Sequence, residues 1–314
     1  MRTPVAFLIF NRPDATRRVF ESIRDAKPPL LLVVADGPRP DRPDDARACT
    51  EARSLIDRVD WNCEVRTNYS DVNLGCGKRV SSGIDWVFQQ VEEAIILEDD
   101  CVPDPSFFRF CEELLEKYRH DERISEIGGV NYGFGRKRAD FSYYFSHYNY
   151  VWGWASWRRA WKGYDFHMEA WPELRDRNWL HEFLDDPGVV RYYTHNFNKT
   201  YAGEVDTWDY QWFFHCWVNH RLAALPCVNL VTNIGYKDLR ATHTKRKSRL
   251  AEVQTEPIAF SLTHPPRLMR DREADRFNDV HLRYGRFSLL NIVLTKQKVS
   301  QKIKDVLAAF LGRR

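Results

Sequence analysis

Residues 94–105 read Ala94-Ile-Ile-Leu-Glu98-Asp99-Asp100-Cys-Val-Pro-Asp104-Pro105: four apolar residues, three carboxylates, then a turn bracketed by prolines. A short apolar run bounded in this way reads as a fully buried strand, of the kind that lies in the middle of a sheet covered on both faces. The run ends abruptly at the acids, so all three stand at the strand's carboxyl end. Adjacent carboxylates repel one another, and a strand end keeps three of them only where a cation or hydrogen-bond donors offset the charge. The stretch therefore predicts an α/β sheet and places the chemistry at its carboxyl edge, where open α/β sheets bind their ligands.

The same texture extends outward on both sides. Residues 5–10 form an apolar strand, and Asp14 is expected to cap a helix whose Ala15, Val19 and Ile23 face inward, running to about Arg24 before Pro28 and Pro29. Residues 30–35 make a second strand, ending on Asp36-Gly37, and a loop rich in Pro and Asp leads into a helix to about Arg58. A third strand spans 63–67, and Asn73-Leu-Gly75-Cys-Gly77 turns the chain into a helix that ends near Gln90. Beyond the acids come a helix over 105–120 and a strand over 124–130. Strands alternating with helices specify a mixed, mostly parallel sheet flanked by helices. Asn11-Arg12, Asp36-Gly37, residues 73–78 and the acidic triplet all fall at carboxyl strand ends, so four polar clusters converge on one edge.

Composition narrows the function classes. With 314 residues, 43% hydrophobic and 29% charged, the chain can bury a large core without staples. A net charge of +3 is too small for a duplex-binding face, so no nucleic-acid partner is expected. Seven cysteines, an odd number with no C-x-x-C pair, suit reduced thiols in a cytoplasmic protein better than disulfides or a structural zinc site. The first apolar run is broken at Asn11 and Arg12, too early for a signal peptide, and no stretch approaches the ~20 apolar residues of a membrane span. From Thr295 onward six Lys or Arg stand against one Asp, with Val299, Ile303, Val306, Leu307, Phe310 and Leu311 on one helical face. This basic amphipathic helix suits either peripheral contact with the inner face of a membrane or docking on the core.

The acidic triplet with its turn resembles the short acidic motif of GT-A glycosyltransferases, most closely the inverting N-acetylglucosaminyltransferase I type and related bacterial sugar transferases. Phe10-Asn11-Arg12-Pro13 resembles the family's first nucleotide-contacting loop, Val34-Ala-Asp36-Gly37 its strand-end Asp that meets the base, and residues 73–78 the loop beneath the diphosphate. The resemblance covers about the first 130 residues, in the family's order. It implies a nucleotide-sugar donor, UDP-linked, held by Asn11, Arg12, Asp36, Gly37, Asn73, Gly75, Lys78, Glu98 and Asp99. It also implies Mn2+ or Mg2+ on Asp100, with His243 as a late second ligand, and an acceptor that is a glycan or a lipid-linked glycan. A departing diphosphate leaves negative charge that a hard cation held by carboxylates can neutralise.

Inverting transfer needs a carboxylate to take the acceptor's proton. Residues 204–212, Glu204-Val-Asp206-Thr-Trp208-Asp209-Tyr-Gln-Trp212, combine acids with rings that can stack on a sugar, and resemble the family's Trp-Asp-Asp-Trp region. Asp209 follows Trp208 as the family's acid follows its Trp and is the first candidate base, ahead of Asp206 and Glu204. Nine of the 11 Trp lie between Trp152 and Trp217. We expect Trp152, Trp154 and Trp208 to line the acceptor side, and Trp157 and Trp161 to join the core. The expected organisation is a transferase domain over 1–244, its nucleotide half 1–131 and acceptor half 132–244, followed by a basic loop and helical tail over 245–314. Three rivals stand beside it: a carbohydrate-binding protein of the same fold without turnover, a sugar-1-phosphate nucleotidylyltransferase, and a metal-dependent phosphohydrolase. The nucleotidylyltransferase would need glycines where Asn11-Arg12-Pro13 stands.

Overall fold

The apolar runs become the strands of one sheet, seen in a computed structural model whose described residues are 1–133, 140–237 and 253–280. The strands are β1 (Val5–Ile9), β2 (Leu30–Ala35), β3 (Glu64–Tyr69), β4 (Glu93–Glu98), β5 (Cys101–Pro103), β6 (Ile124–Gly128), β7 (Tyr143–Ser146), β8 (Trp154–Trp157), β9 (Leu222–Pro226) and β10 (Val231–Asn233). Eight of them hydrogen-bond in the order β3-β2-β1-β4-β8-β6-β9-β7, and β5 pairs with β10 in a separate ribbon. β3, β2, β1 and β4 are mutually parallel, β8 runs against both β4 and β6, β9 is parallel to β6, and β7 closes the edge antiparallel. The expected fold class, a mixed and mostly parallel sheet flanked by helices, is what the chain adopts.

Helices cover the sheet: α1 (Pro13–Ala26), α2 (Asp45–Ser54), α3 (Cys76–Gln90), α4 (Pro105–Lys117), α5 (Arg158–Trp161), α6 (Trp171–Asp176), α7 (Trp179–Phe183), α8 (Pro187–Tyr201) and α9 (Asp209–Val218). In α1 the buried residues Ala15, Val19, Phe20 and Ile23 lie at helical spacing. Asp14 is not its cap: the N-cap is Arg12, no side chain caps the helix, and Asp14 sits in the first turn where a carboxylate suits the dipole. At α4 the cap is Asp104, whose carboxylate accepts from Ser106 N–H. β1 is buried along its whole length and β4 at every residue but its two ends, the consequence of lying mid-sheet under helices on both faces.

The sheet passes without a break from the first 131 residues into the aromatic segment, because β8 inserts between β4 and β6. Trp154 and Trp157, at a spacing that also suits a helix stripe, are strand residues, and only Trp161 lies in a helix. Residues Met1–Asp271 form one compact unit, and Arg272 opens a second, of which the short helix α10 (Arg272–Asn278) is described. His243, the basic loop and the amphipathic tail lie outside the described residues. No helix among the described residues is long and apolar enough to cross a membrane.

Candidate functional site

At the carboxyl ends of β1, β2 and β4 the chain leaves a cleft of about 300 Å³. It is lined by Asn11, Arg12, Asp36, Asn73, Gly75, Glu98, Asp99, Asp100, Trp152 and Asp206 among the residues singled out from sequence, and by Arg39, Arg79 and Asn233, which were not. Two larger depressions elsewhere have none of these groups: one lies between the end of α2 and β3, near Trp61 and Tyr69, the other between α6, α7 and α8.

The acidic triplet occupies the cleft floor. Asp99 and Asp100 are buried, while Glu98 keeps partial exposure to the cleft. Arg12, at the start of α1, reaches across from β1: one guanidinium nitrogen donates to Asp100 Oδ2 at 2.8 Å and the other donates to Asp99 Oδ1. Burial works against the Arg12 charge, but the Asp99 and Asp100 carboxylates outweigh it and hold its pKa above the ordinary arginine value. Burial pushes the Asp99 carboxyl up against the pull of Arg12, and burial together with Asp100 and Asp99 raises Glu98. One guanidinium is thus shared between two buried carboxylates, with a third acid beside them. Among the described residues no group of three His, Cys, Asp or Glu side chains forms a metal cluster.

The β5–β10 ribbon brings a distant segment to the same floor. Ile234 N–H donates to the Asp100 carbonyl at 2.8 Å, and Asn233 Nδ2 donates to Asp100 Oδ1 at 3.3 Å. Gly235 makes this approach feasible, since a Cβ there would stand 2.4 Å from Asp100 Oδ2. Asn233 is therefore a floor residue that sequence reading passed over. Its position depends on the pairing of Val231–Asn233 with Cys101–Pro103, a contact no local pattern announces.

Asp36, expected to meet the base, is turned to its own chain. Its Oδ1 accepts from Gly37 N–H and Leu74 N–H at 2.9 Å, and its Oδ2 accepts from Asn73 Nδ2 at 3.0 Å and Gly75 N–H at 3.2 Å. Burial raises its pKa against these donors. The result is a latch fixing the Asn73–Gly75 loop to the end of β2. Asn11 is likewise committed: its Nδ2 donates to Asp45 Oδ1 at 2.7 Å, and Asp45 pairs with Arg39 at 2.6 Å. Arg79, one residue beyond Lys78, is the buried cation of this wall. It donates to Ala35 O and to Asn68, and burial lowers its pKa against the pull of Asp36. Lys78 is exposed and Gly37 is buried, and neither lines the cleft.

Gly75 turns into α3 at φ +81°, a left-handed conformation that favours glycine. The first N–H groups of α3 are the orphan donors expected beneath a diphosphate. Here they hold an internal anion: Asp206 Oδ2 accepts from Cys76 N–H and Oδ1 from Gly77 N–H, both at 2.8 Å. Asp206 is thereby committed as a cap. Asp209 opens α9, and among the described residues its hydrogen bonds, from the Thr207 hydroxyl and from Tyr210 N–H, both fall on Oδ1. Burial is the main reason that the pKa values of Glu98, Cys76 and Tyr164 are raised, and the Asp209 carboxylate adds to each, which places it within electrostatic reach of the acidic floor. Glu204 is exposed.

The aromatic candidates divide. Trp152 is partly exposed at the cleft, edge-on to Tyr132 at 5.7 Å and to Tyr236 at 5.5 Å. Trp154 and Trp208, expected beside it, are core side chains: they stack on one another at 5.8 Å and pack with Trp161 and Trp212. Trp154 is buried because β8 lies inside the sheet, and Trp208, just before α9, is buried against it, so neither ring is open to an acceptor. Beneath this cluster Glu126 of β6 is fully buried. It accepts from Trp212 Nε1 at 2.8 Å, Tyr150 N–H at 2.8 Å and Asn149 Nδ2 at 3.1 Å, and burial pushes its carboxyl up to about 7.

No family model matches the sequence, and no curated protein matches it. Among solved structures, mouse xyloside xylosyltransferase 1 is similar at 13% identity over 69% of this chain and 81% of its own, with a TM-score of 0.33. The 4-diphosphocytidyl-2C-methyl-D-erythritol synthase of Anaerococcus prevotii is similar at 10% identity over 50% and 72%, TM-score 0.31. A UDP-glucose pyrophosphorylase in complex with UDP-glucose is similar at 11% identity over 42% and 64%, TM-score 0.25, so the match spans under two thirds of that enzyme.

Proposed function

We propose that this chain is a glycosyltransferase that moves a sugar from a nucleoside diphosphate sugar, UDP-linked by the sequence resemblance, to a hydroxyl of a glycan or lipid-linked acceptor, with inversion. The observation that carries the reading is the convergence on one cleft of Arg12, Asp36, Asn73, Gly75, the three acids and Trp152, from four separate strand ends. Carboxylates and cationic side chains side by side suit a charged ligand that brings its own counter-ion, and the partly exposed Trp152 indole suits the apolar face of a sugar.

In this reading the Asp36 latch fixes the loop on which the nucleotide rests. Asp209 is the base, receiving the acceptor proton on the oxygen left over by Thr207 and Tyr210. Asp206 is set aside because both of its oxygens already accept from α3. Trp152 orients the sugar ring. Asp99 and Asp100 are the hard donors that would hold Mn2+ or Mg2+, in the seat that the Arg12 guanidinium takes between them. Such an ion, when bound, neutralises charge on the departing diphosphate.

Calorimetric titration with UDP, GDP and CDP, each with Mn2+ and again with a chelator, tests the reading. Binding of one nucleotide, dependent on metal, is the expected result; binding of none would return the chain to a carbohydrate-binding role. Turnover of a nucleoside triphosphate with a sugar phosphate would instead make it a nucleotidylyltransferase.

A further inference from the structure

We infer that Arg12 is a displaceable internal cation: it holds the Asp99–Asp100 seat in the free protein and must leave it for a divalent ion to enter. The inference rests on the transferase reading above and adds to it why metal and donor are taken up together.

The two terminal nitrogens of one guanidinium are divided between the carboxylates of adjacent residues, donating to Asp100 Oδ2 at 2.8 Å and to Asp99 Oδ1. Those carboxylates are the oxygen donors a hard cation would use, so guanidinium and metal compete for the same lone pairs. Two positive charges within a few ångströms repel strongly beside buried carboxylates that water screens little, which makes occupancy exclusive. Departure of Arg12 needs only its side chain to turn. Its backbone is fixed as the N-cap of α1, where its carbonyl accepts from Thr16 N–H at 2.9 Å and from Thr16 Oγ1 at 2.8 Å. The side chain keeps 14% of its surface exposed, against 4% and 9% for the Asp99 and Asp100 side chains, so the cation is the member of the trio with a way out into the cleft.

A guanidinium turned out of the seat enters the cleft that Arg12 lines, which the proposed function gives to the donor, and its planar fork matches phosphate oxygens as it matches carboxylates. Phosphate therefore stabilises the turned-out Arg12, and the turned-out Arg12 opens the metal seat. By linkage each ligand then tightens the other.

Electron paramagnetic resonance of free Mn2+, titrated into the full chain without nucleotide, reads the competition directly. Arg12→Ala is expected to bind Mn2+ ~10-fold or more tightly than the wild type, within the usual range of such couplings. Arg12→Lys, whose single ammonium engages one carboxylate at a time, should fall between them and serves where Arg12→Ala does not fold. Mn2+ binding by both variants no tighter than by wild type overturns the inference while leaving the transferase reading intact. Failure of all three proteins to take up Mn2+, with or without UDP, overturns the metal role in that reading as well.

Discussion

Two buried acidic sites in this molecule are neutralised in opposite ways. At the cleft floor Asp99 and Asp100 are answered by a full positive charge, the Arg12 side chain, which arrives from another strand end and retains a route to solvent. In the aromatic core Glu126 is answered only by neutral donors, the Trp212 indole, Tyr150 N–H and the Asn149 amide, each fixed by its own packing. Removing one partner of a buried ion pair strands a charge, whereas a carboxylate among neutral dipoles can take up a proton instead. The first arrangement suits exchange of one cation for another. The second suits permanence: Glu126 ties β6 to the loop that carries Trp152 and to α9, which begins at Asp209.

The contrast is broken most directly at Asp100. Asp100→Ala removes an oxygen donor from the cation seat and should weaken metal-dependent nucleotide binding by several kcal/mol, on the order of 100-fold or more, by calorimetry. Undiminished binding would take the acidic floor out of the proposed site. Next in size is Asp209→Asn, which should leave nucleotide affinity unchanged while lowering turnover ~10²-fold, the usual scale of base catalysis. Equal loss of binding in both variants would mean that the floor and α9 do not divide the work, and full turnover in Asp209→Asn would transfer the base to Glu204.

How much of this was legible in the sequence follows from the range of each interaction. The strands of the first half announced themselves because an apolar run bounded by turns is a local signal, and Leu30–Ala35 was placed to the residue. The polar clusters at the strand ends were found for the same reason, and the sheet then gathered them into one cleft. What Arg12 would do there was not readable: its partners lie 87 and 88 residues away, and the same residue type at a strand end suits phosphate equally. The second half misled for a physical reason. Trp154 and Trp208 looked like a sugar platform because large aromatic side chains serve both surfaces and cores, and only the insertion of β8 between β4 and β6 decides in favour of the core. Glu126, one acid in the run Ile-Ser-Glu-Ile-Gly, gave no sign of burial, since its donors come from residues 23, 24 and 86 positions on.

Glu126 makes the permanence of the second site measurable. Its pKa is raised by burial from the ordinary 4.5 to about 7, so between those values the folded chain holds a proton that the unfolded chain has lost. Stability from this group is complete below the lower value and is lost as pH rises through the upper one, ~3 kcal/mol in all at 1.36 kcal/mol per unit. Glu126→Gln cannot titrate. In urea unfolding at a series of pH values the wild type should therefore lose ground to the variant by about that amount across the window. A difference that stays flat would mean the carboxylate is ionised throughout, held by its three donors.

The smallest effect tests where the aromatic core stops and the cleft begins. Trp152 touches Tyr132 and Tyr236 only edge-on and lines the cleft, so Trp152→Ala removes a stacking face without emptying the core. A lost stacking contact of ~1 kcal/mol corresponds to about a fivefold rise in KM for the sugar-bearing substrate, with kcat held. Trp154→Ala, two residues on and fully buried, should instead cost ~3–5 kcal/mol of stability. If both variants lost stability alike, Trp152 would belong to the core with Trp154 and Trp208, and the cleft would have no platform for a sugar. If Trp152→Ala raises KM in a protein that melts as the wild type does, the boundary falls at Gly153, between a ring that meets ligand and a ring that holds the sheet.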